Sequence, residues 1–457
     1  MNIIIAGSGK VGSTLAQQLA AEGHNLTIID SKADVISADV DRMDVIAVHG
    51  NCASKQVLMD AGVMDADLLI AAAGADEVNL LCCTTAHGLN RNLHTIARIR
   101  NPEYTEQIYE MRDVFGLSLA INPERQAAVE MERLLKYPGF LRRDTFARAR
   151  SEIVELRIDA SSKLCNVPLI EMAGIVKCRV LVCAVLRNGT ALVPNSGSFV
   201  LKEGDRIFVT APPQNLTTLL KNLGIIPRRA RNVMLCGGGR VSYYLAKLLE
   251  KDRISVKLIE QDLGRCTELA ALLPDTNIIH GDATDQAFLE NEGLSDCDAL
   301  VTMTGLDELN MIISLSGSNC GVPQVITKLS RMHNRSIADN LTLGSVVCPK
   351  ELCCNTIIRY VRAMQNQAGA AVSIHFIADG QVEAMEFQVR EDNPYIGIPL
   401  KKICPKPNVL VATITHGART EIANGESVFY AKDTVVIVAG SRGVIHSLRD
   451  IFDYVRD

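Results

Sequence analysis

Asn2-Ile3-Ile4-Ile5-Ala6-Gly7-Ser8-Gly9-Lys10-Val11-Gly12 runs a short apolar strand into a turn built on three glycines. The stretch Asn232-Val233-Met234-Leu235-Cys236-Gly237-Gly238-Gly239-Arg240-Val241-Ser242 repeats it 230 residues later. An acid follows each turn at the same distance, Asp30 in the first copy and Glu260 in the second. One glycine turn is weak evidence, because such turns are common. Two in register, each after an apolar strand and each about 20 residues ahead of an acid, mark two Rossmann-type nucleotide sites in one chain. Two like sites in tandem suit a sensor better than a dehydrogenase with one substrate.

Outward from the first turn, Val11, Leu15, Leu19 and Ala20 recur at helical spacing. Short, nearly all-apolar runs then alternate with helical patterns: Leu26 to Ile29, Val45 to Val48, Leu68 to Ala72, Thr95 to Arg98 and Ser118 to Ile121. Strands of that kind belong to a parallel sheet covered on both faces, and right-handed crossovers give the doubly wound order. The second copy places its strands at Val233 to Leu235, Val256 to Ile259, Asn277 to Ile279, Ala299 to Met303, Val325 to Lys328 and Ser345 to Val347. His49-Gly50-Asn51 answers His280-Gly281-Asp282, and Gly74-Ala75-Asp76-Glu77-Val78-Asn79 answers Gly305-Leu306-Asp307-Glu308-Leu309-Asn310, all at offsets of 230 to 231. Duplication is the economical explanation.

A region of different texture follows each unit. Ile153 to Ile158, Arg179 to Leu186, Thr190 to Val193 and Arg206 to Val209 read as short strands joined by polar turns such as Arg187-Asn188-Gly189. Their distal counterparts are Met385 to Val389, Val409 to Ile414, Thr420 to Ile422 and Thr434 to Val438. Each is a small β-rich domain of about 75 residues, which only just supports its own core and is expected to bury a face against a partner. The expected fold class is α/β: two doubly wound parallel-sheet Rossmann domains, at 1–140 and 227–360, each followed by a small α+β domain, at 141–226 and 361–457. Arg228-Arg229-Ala230-Arg231 reads as an exposed linker.

Composition narrows the partners. The 457 residues are 47% hydrophobic and 22% charged with a net charge of −5, a soluble globular balance without a field for nucleic acid. With aromatics at 4% and no Trp, no base-stacking surface is apparent, so nucleic acid is not an expected partner. The opening Met1-Asn2-Ile3 leads straight into a strand without a basic or long apolar segment, and no apolar run approaches a membrane span, so a cytosolic protein is expected. The 14 cysteines include no Cys-x-x-Cys, and the vicinal pairs Cys82-Cys83 and Cys353-Cys354 suit neither zinc nor an ordinary disulfide. No metal is expected, and the thiols read as small buried hydrophobes.

In the first turn Gly7 permits the tight bend, Gly9 permits close approach of a phosphate and Gly12 lets helix pack on strand, while the helix N-terminus supplies donors and positive potential. The second turn keeps Gly237 and Gly239 but has Ser242 in the third place, which points to a looser site. The pair Gly9-Lys10 is not a P-loop, because Ile4 and Val11 stand where that motif requires Gly and Ser or Thr. Asp30 and Glu260 fall where a carboxylate accepts both adenosine ribose hydroxyls and repels a 2′-phosphate, so NADP is disfavoured while NAD(H), ATP, ADP and AMP remain. Lys10, Arg240, Arg98 and Lys328 are four cations at the carboxyl edges of the sheets, placed either to neutralise a polyphosphate or to sit solvated at strand ends. Asp76 and Asp307 read as helix N-caps, and His49 and His280 as structural residues without a catalytic neighbour.

The tandem order, the strand-two acid, the Gly-Asp type of strand-three end at Gly281-Asp282, the Asp-Glu-x-Asn helix start and the cation after strand five together resemble the TrkA family. These are RCK (also called KTN) regulators of the bacterial Trk potassium uptake systems, and the likeness covers essentially the whole chain. The resemblance implies a non-enzymatic protein that binds NAD(H) or adenine nucleotides. It would form a ring, as a homotetramer, beneath an integral membrane potassium-translocating subunit at the cytoplasmic face of the inner membrane. Carried over by position, the first site would comprise Gly7, Ser8, Gly9, Lys10, Val11, Asp30, Ala73, Gly74 and Arg98. The second would comprise Gly237, Gly238, Gly239, Arg240, Val241, Glu260, Thr304, Gly305 and Lys328. Departures at Ser242, Lys328 and Asn51 leave the first site intact and weaken the second, which is expected to tune the response. The alternatives are an NAD-dependent dehydrogenase, for which no catalytic constellation is visible, and an RCK regulator of another cation channel or antiporter.

Overall fold

A computed structural model describes residues 1–33, 44–136, 139–146, 150–194, 196–225, 230–331, 341, 343–364, 371–440, 445 and 447–455. The first half opens with β1 (Asn2–Ala6), β2 (Asn25–Asp30), β3 (Ile46–His49), β4 (Leu68–Ala71), β5 (His94–Arg98) and β6 (Leu119–Ile121), in the spatial order 3-2-1-4-5-6. All pairs are parallel, with Ala6 opposite both Ile29 and Ala71. The order reverses beside β1, so the glycine turn leaves the sheet at its switch point, where ligands of doubly wound folds bind.

An antiparallel sheet follows, made of β7 (Arg142–Phe146), β8 (Ser151–Arg157), β9 (Leu181–Arg187), β10 (Thr190–Leu192) and β11 (Arg206–Ala211), in the order 10-9-11-8-7. Asn188 and Gly189 take φ of 50° and 74°, the positive values that a two-residue hairpin turn between β9 and β10 requires.

The second half repeats the plan. Strands β12 (Asn232–Cys236), β13 (Ser255–Glu260), β14 (Thr276–His280), β15 (Ala299–Thr302), β16 (Gln324–Lys328) and β17 (Ser345–Val347) lie in the order 14-13-12-15-16-17. The distal antiparallel sheet contains β18 (Ser373–Ile377), β19 (Val382–Gln388), β21 (Val409–His416), β22 (Arg419–Ile422) and β23 (Thr434–Gly440), beside a two-stranded ribbon of β20 (Ile403–Pro405) and β24 (Phe452–Val455). The expected strands all form, within a few residues of the expected ends. Arg228 and Arg229 of the linker lie outside the described residues. Ala230 is buried, and the Arg231 amide donates to Asp298 (2.8 Å).

The halves are interlocked by an exchange of helices. The helix Pro123–Lys136 follows β6, yet its apolar stripe of Ala127, Ala128, Met131, Leu134 and Leu135 packs in one core with Val241, Tyr244, Leu245 and Leu249 of the second unit. Reciprocally, Cys353, Cys354, Ile357, Ile358 and Val361 of the helix Pro349–Met364 pack on Val11, Leu15 and Leu19 of the first. Polar ties close both seams. Lys136 Nζ meets Asp252 (2.6 Å), and Arg362 meets Glu22 (2.6 Å). With burial stabilising at about 25 cal/mol per Å², each seam is a true core rather than a surface contact.

The two antiparallel sheets also bury their faces together. Phe146, Ile153, Cys183 and Phe208 pack against Ile377, Val382, Ala412, Val436 and Val438. Arg206 bridges the same junction to Asp379 (3.0 Å). The partner each small domain needs is thus the other one. Among the described residues no helix is long and apolar enough to cross a membrane, and no group of acidic, His or Cys side chains is placed to hold a metal ion. No disulfide forms among the described cysteines, and burial pushes the thiols of Cys183, Cys236 and Cys353 up to about 12.

Candidate nucleotide sites at the two glycine turns

Each turn leaves its strand through a glycine that no other residue replaces at low cost. Gly7 has φ of 98° and Gly237 of 101°, and a Cβ on Gly7 would lie 2.7 Å from the Ala73 nitrogen. The helices Lys10–Ala21 and Arg240–Lys251 then begin at Gly9 and Gly239, with neither a capping side chain nor an acid in the first turn. Their first amides and the positive end of each helix dipole therefore stay uncompensated. A Cβ on Gly9 or Gly239 would meet nothing within 4 Å, so the space in front of both helix starts is open.

The third position separates the copies. A Cβ on Gly12 would stand 1.9 Å from the Gly7 carbonyl oxygen, so the first turn closes only because that atom is absent. Ser242 supplies the atom in the second turn, is fully buried, and donates its hydroxyl to the Gly237 carbonyl. The looser turn is pinned by an added hydrogen bond.

Both acids face their turns. Asp30 accepts from the amides of Ser8 (2.7 Å) and Lys32 (3.0 Å), and Glu260 from those of Gly238 (2.5 Å) and Asp262 (2.8 Å). The sequence pattern does not show this pinning role, which leaves further lone pairs on each carboxylate for a sugar. His49 and His280, paired in register with Asp30 and Glu260, place Nε2 by the carbonyls of Ser31 (3.1 Å) and Gln261 (3.0 Å), a backbone role. Asn51 accepts from the Ala53 amide (3.0 Å) as Asp282 does from Thr284 (2.9 Å), so the exchange of Asn for Asp preserves the turn.

Across the switch point the ends of strands four and five are clamped by a buried amide. Asn79 accepts from the Ala73 amide (2.7 Å) and donates to the carbonyls of Ala73 (3.2 Å) and Arg98 (2.8 Å). Asn310 does the same with Thr304 (2.7 and 3.3 Å) and Lys328 (3.0 Å). Asp76 and Asp307 do not cap their own helices. They stand at the first helical position and hold the amides after strand five, Arg100 and Asn101 in one copy, Ser330 and Arg331 in the other. The two amides after strand five outcompete the helix's own N-terminal groups because the loop would otherwise bury them unpaired.

Arg98 donates to the Ala73 carbonyl (2.7 Å), and its Nε is buried without a partner. Lys328 Nζ donates to Thr304 (2.7 Å) and Met303 (3.1 Å). Burial pushes both cations below their ordinary pKa, reinforced at Arg98 by Arg100. Desolvated cations beside an open helix N-terminus attract an anion more strongly than the same cations in water. Glu124, at the start of the exchanged helix, keeps a buried Oε2 without a hydrogen-bond partner, and its charge acts on Arg98 and Lys328 alike. Tyr244, on the helix that begins at the second turn, accepts from Asn122 (2.9 Å) and donates to the Arg100 carbonyl (3.3 Å). The ends of the two strand-five segments are therefore linked through Glu124, and the second turn's helix reaches the first unit through Tyr244.

The first-site residues Gly7, Ser8, Gly9, Asp30, Ala73, Gly74 and Arg98 gather at this edge with Lys10 exposed beside them, and their second-site counterparts do the same around Arg240. Val11 and Val241 turn their side chains into the cores and offer only backbone. Residues beyond the sequence reading are Arg100, which donates to the Gly74 carbonyl, Glu124, and Arg265, which reaches the Gly238 carbonyl (2.8 Å). The Arg98-x-Arg100 spacing was the available signal for the first of these, while the other two depend on packing.

Paired Rossmann units with uncapped glycine turns, interlocked helices and face-to-face antiparallel companions define a class of fold that solved RCK domains share. The solved GsuK RCK domain superposes with a TM-score of 0.61 at 16% identity, covering 96% of this chain and 92% of that one. The GsuK channel bound to NAD gives 0.60 at 17%, covering 96% and 77%. In sequence, the TrkA-N domain matches residues 3–123 and 233–349, and the TrkA-C domain matches residues 153–224. The chain belongs to the TrkA-N domain family. It is 28% identical over 463 residues to the Trk system potassium uptake protein TrkA of Haemophilus influenzae, covering 99% of this chain and 98% of that one. The TrkA homolog of Archaeoglobus fulgidus is 30% identical over 439 residues, covering 96% and 97%. Both relatives are named as potassium uptake proteins.

Proposed function

We propose that this chain is the nucleotide-sensing regulatory subunit of a potassium uptake system, and that it gates a separate membrane-embedded translocating subunit from the cytoplasmic face. The observation that carries this reading is the pair of open, uncapped helix N-termini at the two glycine turns, joined through exchanged helices so that a change in one unit moves the other. The full-length likeness to Trk system potassium uptake proteins supports the transport assignment. The ligands would be NAD(H), ATP or ADP, held at Gly7 to Val11, Asp30, Ala73, Gly74 and Arg98, and at Gly237 to Val241, Glu260, Thr304, Gly305 and Lys328. Asp30 and Glu260 disfavour NADP. The GsuK channel, of like fold, is described bound to NAD.

Mechanically, occupancy would change the angle between Rossmann units and pull on the partner's gate. A ligand that prefers one state about tenfold contributes about 1.4 kcal/mol per site, so about four equivalent sites move a population from roughly 1:99 to 99:1. A homotetrameric ring of two-site chains supplies at least that number. The test is potassium flux in vesicles that carry the membrane subunit recovered with this chain from native membranes, with NADH, NAD, ATP or ADP varied. The expected result is flux that follows nucleotide and loses that dependence in Asp30→Asn. Flux indifferent to all four nucleotides, or NADH turnover at an enzyme-like rate, overturns the proposal.

A further inference from the structure

Arg265 distinguishes the second site from the first more sharply than any residue of the glycine turns. It lies in the first turn of the helix Leu263–Leu272, where its amide donates to the Asp262 side chain (2.7 Å). Its Nε donates to the Gly238 carbonyl (2.8 Å) and its Nη1 to Glu268 (2.8 Å), so two contacts fix the guanidinium while the side chain remains 30% exposed. The Gly238 amide is held at the same time by Glu260 (2.5 Å). Acid and guanidinium thus grip one residue of the turn from opposite ends. That grip needs a glycine, because a Cβ there would lie 2.8 Å from Glu260 Oε2 and 2.7 Å from Leu269. The first copy has Ser8 in place of Gly238, and its sequence has Val35 at the position that corresponds to Arg265.

A planar cation fixed at the turn, beside the acid, faces whatever ligand group lies beyond the sugar that the acid holds. Two candidates exist, a phosphate and the nucleobase, and charge decides between them. Glu260 and Glu268 both flank Arg265, so the surroundings carry net negative charge and repel a phosphate. A neutral aromatic base meets no such repulsion, and guanidinium planes stack on bases. We propose that Arg265 is the base-recognition residue of the second site, its flat face forming one wall against the purine of an adenine nucleotide. This rests on the nucleotide reading of the second turn. It gives that site an affinity source that offsets part of what Ser242 and Lys328 withhold.

Calorimetric titration of the full chain with AMP and, separately, with ribose 5-phosphate tests it, the second-site event being the one that Glu260→Gln weakens. Arg265→Ala should weaken AMP at that event about threefold to fivefold and leave ribose 5-phosphate unchanged, as expected for loss of an exposed stacking contact. Arg265→Lys, which keeps charge without the planar face, should not restore AMP affinity. Equal losses for both ligands would make Arg265 only a pin for the turn and overturn the assignment. A wild-type chain with no AMP event sensitive to Glu260→Gln removes the nucleotide reading of the second turn itself.

Discussion

The two glycine turns solve one problem in two ways. The first turn closes by absence: Gly12 has no Cβ, and the Gly7 carbonyl takes the vacated space. The second turn closes by addition: Ser242 fills that space and ties its hydroxyl to the Gly237 carbonyl. The acids follow suit. Asp30 reaches the Ser8 amide, and the longer Glu260 folds back to reach Gly238, a residue with no side chain in its way. The strand order and the acid-to-turn bonds are thus shared, while the backbone at the third position differs to admit Ser242, and so does what each site offers a ligand. Arg98 uses one N–H on the Ala73 carbonyl and keeps Nε unpaired, whereas the Lys328 ammonium divides itself between two carbonyls. Duplication preserved the frame while the donors at the end of strand five diverged.

The largest expected effect comes from forcing one solution onto the other. Gly12→Val should cost about 2–4 kcal/mol, because the new atoms meet the Gly7 carbonyl at a distance that no rotamer relieves, and should abolish nucleotide binding at the first turn. Ser242→Gly should cost only about 1 kcal/mol, the net worth of one hydrogen bond, and leave the second site occupied. Thermal unfolding with parallel nucleotide titration measures both. If Gly12→Ser keeps wild-type stability and first-site affinity, the turns are interchangeable and the contrast reduces to the cations.

That contrast was partly legible in the sequence. Fully buried parallel strands read as near-continuous apolar runs, and glycines at fixed spacing declare themselves, so both sheets and both turns could be placed. The charged strand β7, Arg142-Arg143-Asp144-Thr145-Phe146, could not. It is a strand because it pairs with β8, which sets Arg143 on Glu152 (2.7 Å), and because Arg142 meets the distant Glu351 (3.7 Å), cross-strand and tertiary contacts with no local signature. The stripe on Pro123–Lys136 announces a buried face without saying which unit covers it, so the helix exchange was hidden. With it went Glu124, whose relevance to both sites depends on that exchange. Asp76 misled for a simpler reason: an acid at a helix start resembles a cap until the competing amides of the next loop are known.

Exchanging the strand-five cations tests donor supply at smaller amplitude. Arg98→Lys should lower ADP affinity at the first site about threefold to tenfold, because an ammonium cannot reproduce the planar fork on a phosphate. Lys328→Arg should raise the second site toward the first by a comparable factor. The readout is the separation between the two binding events in calorimetry with ADP. A separation unmoved by either variant would locate the inequality elsewhere, and Arg265 would be the next residue to test.

The smallest expected effect needs no mutation, only pH. Lys328 is held below its ordinary value of 10.5, chiefly by burial, whereas Arg98, although also lowered, starts from 12.5. A lysine with a depressed value loses its proton earlier as pH rises, so the second site should lose the Lys328 charge before pH reaches 10.5, while the first keeps that of Arg98. Bound phosphate opposes that loss by favouring the charged amine, so the decline should be gradual and amount to no more than about tenfold. Nucleotide titrations at rising pH should therefore show the two affinities moving apart, and Lys328→Arg should bring them to move together. Parallel decline of both sites in the wild-type chain would mean that Lys328 does not set the pH response of the second site.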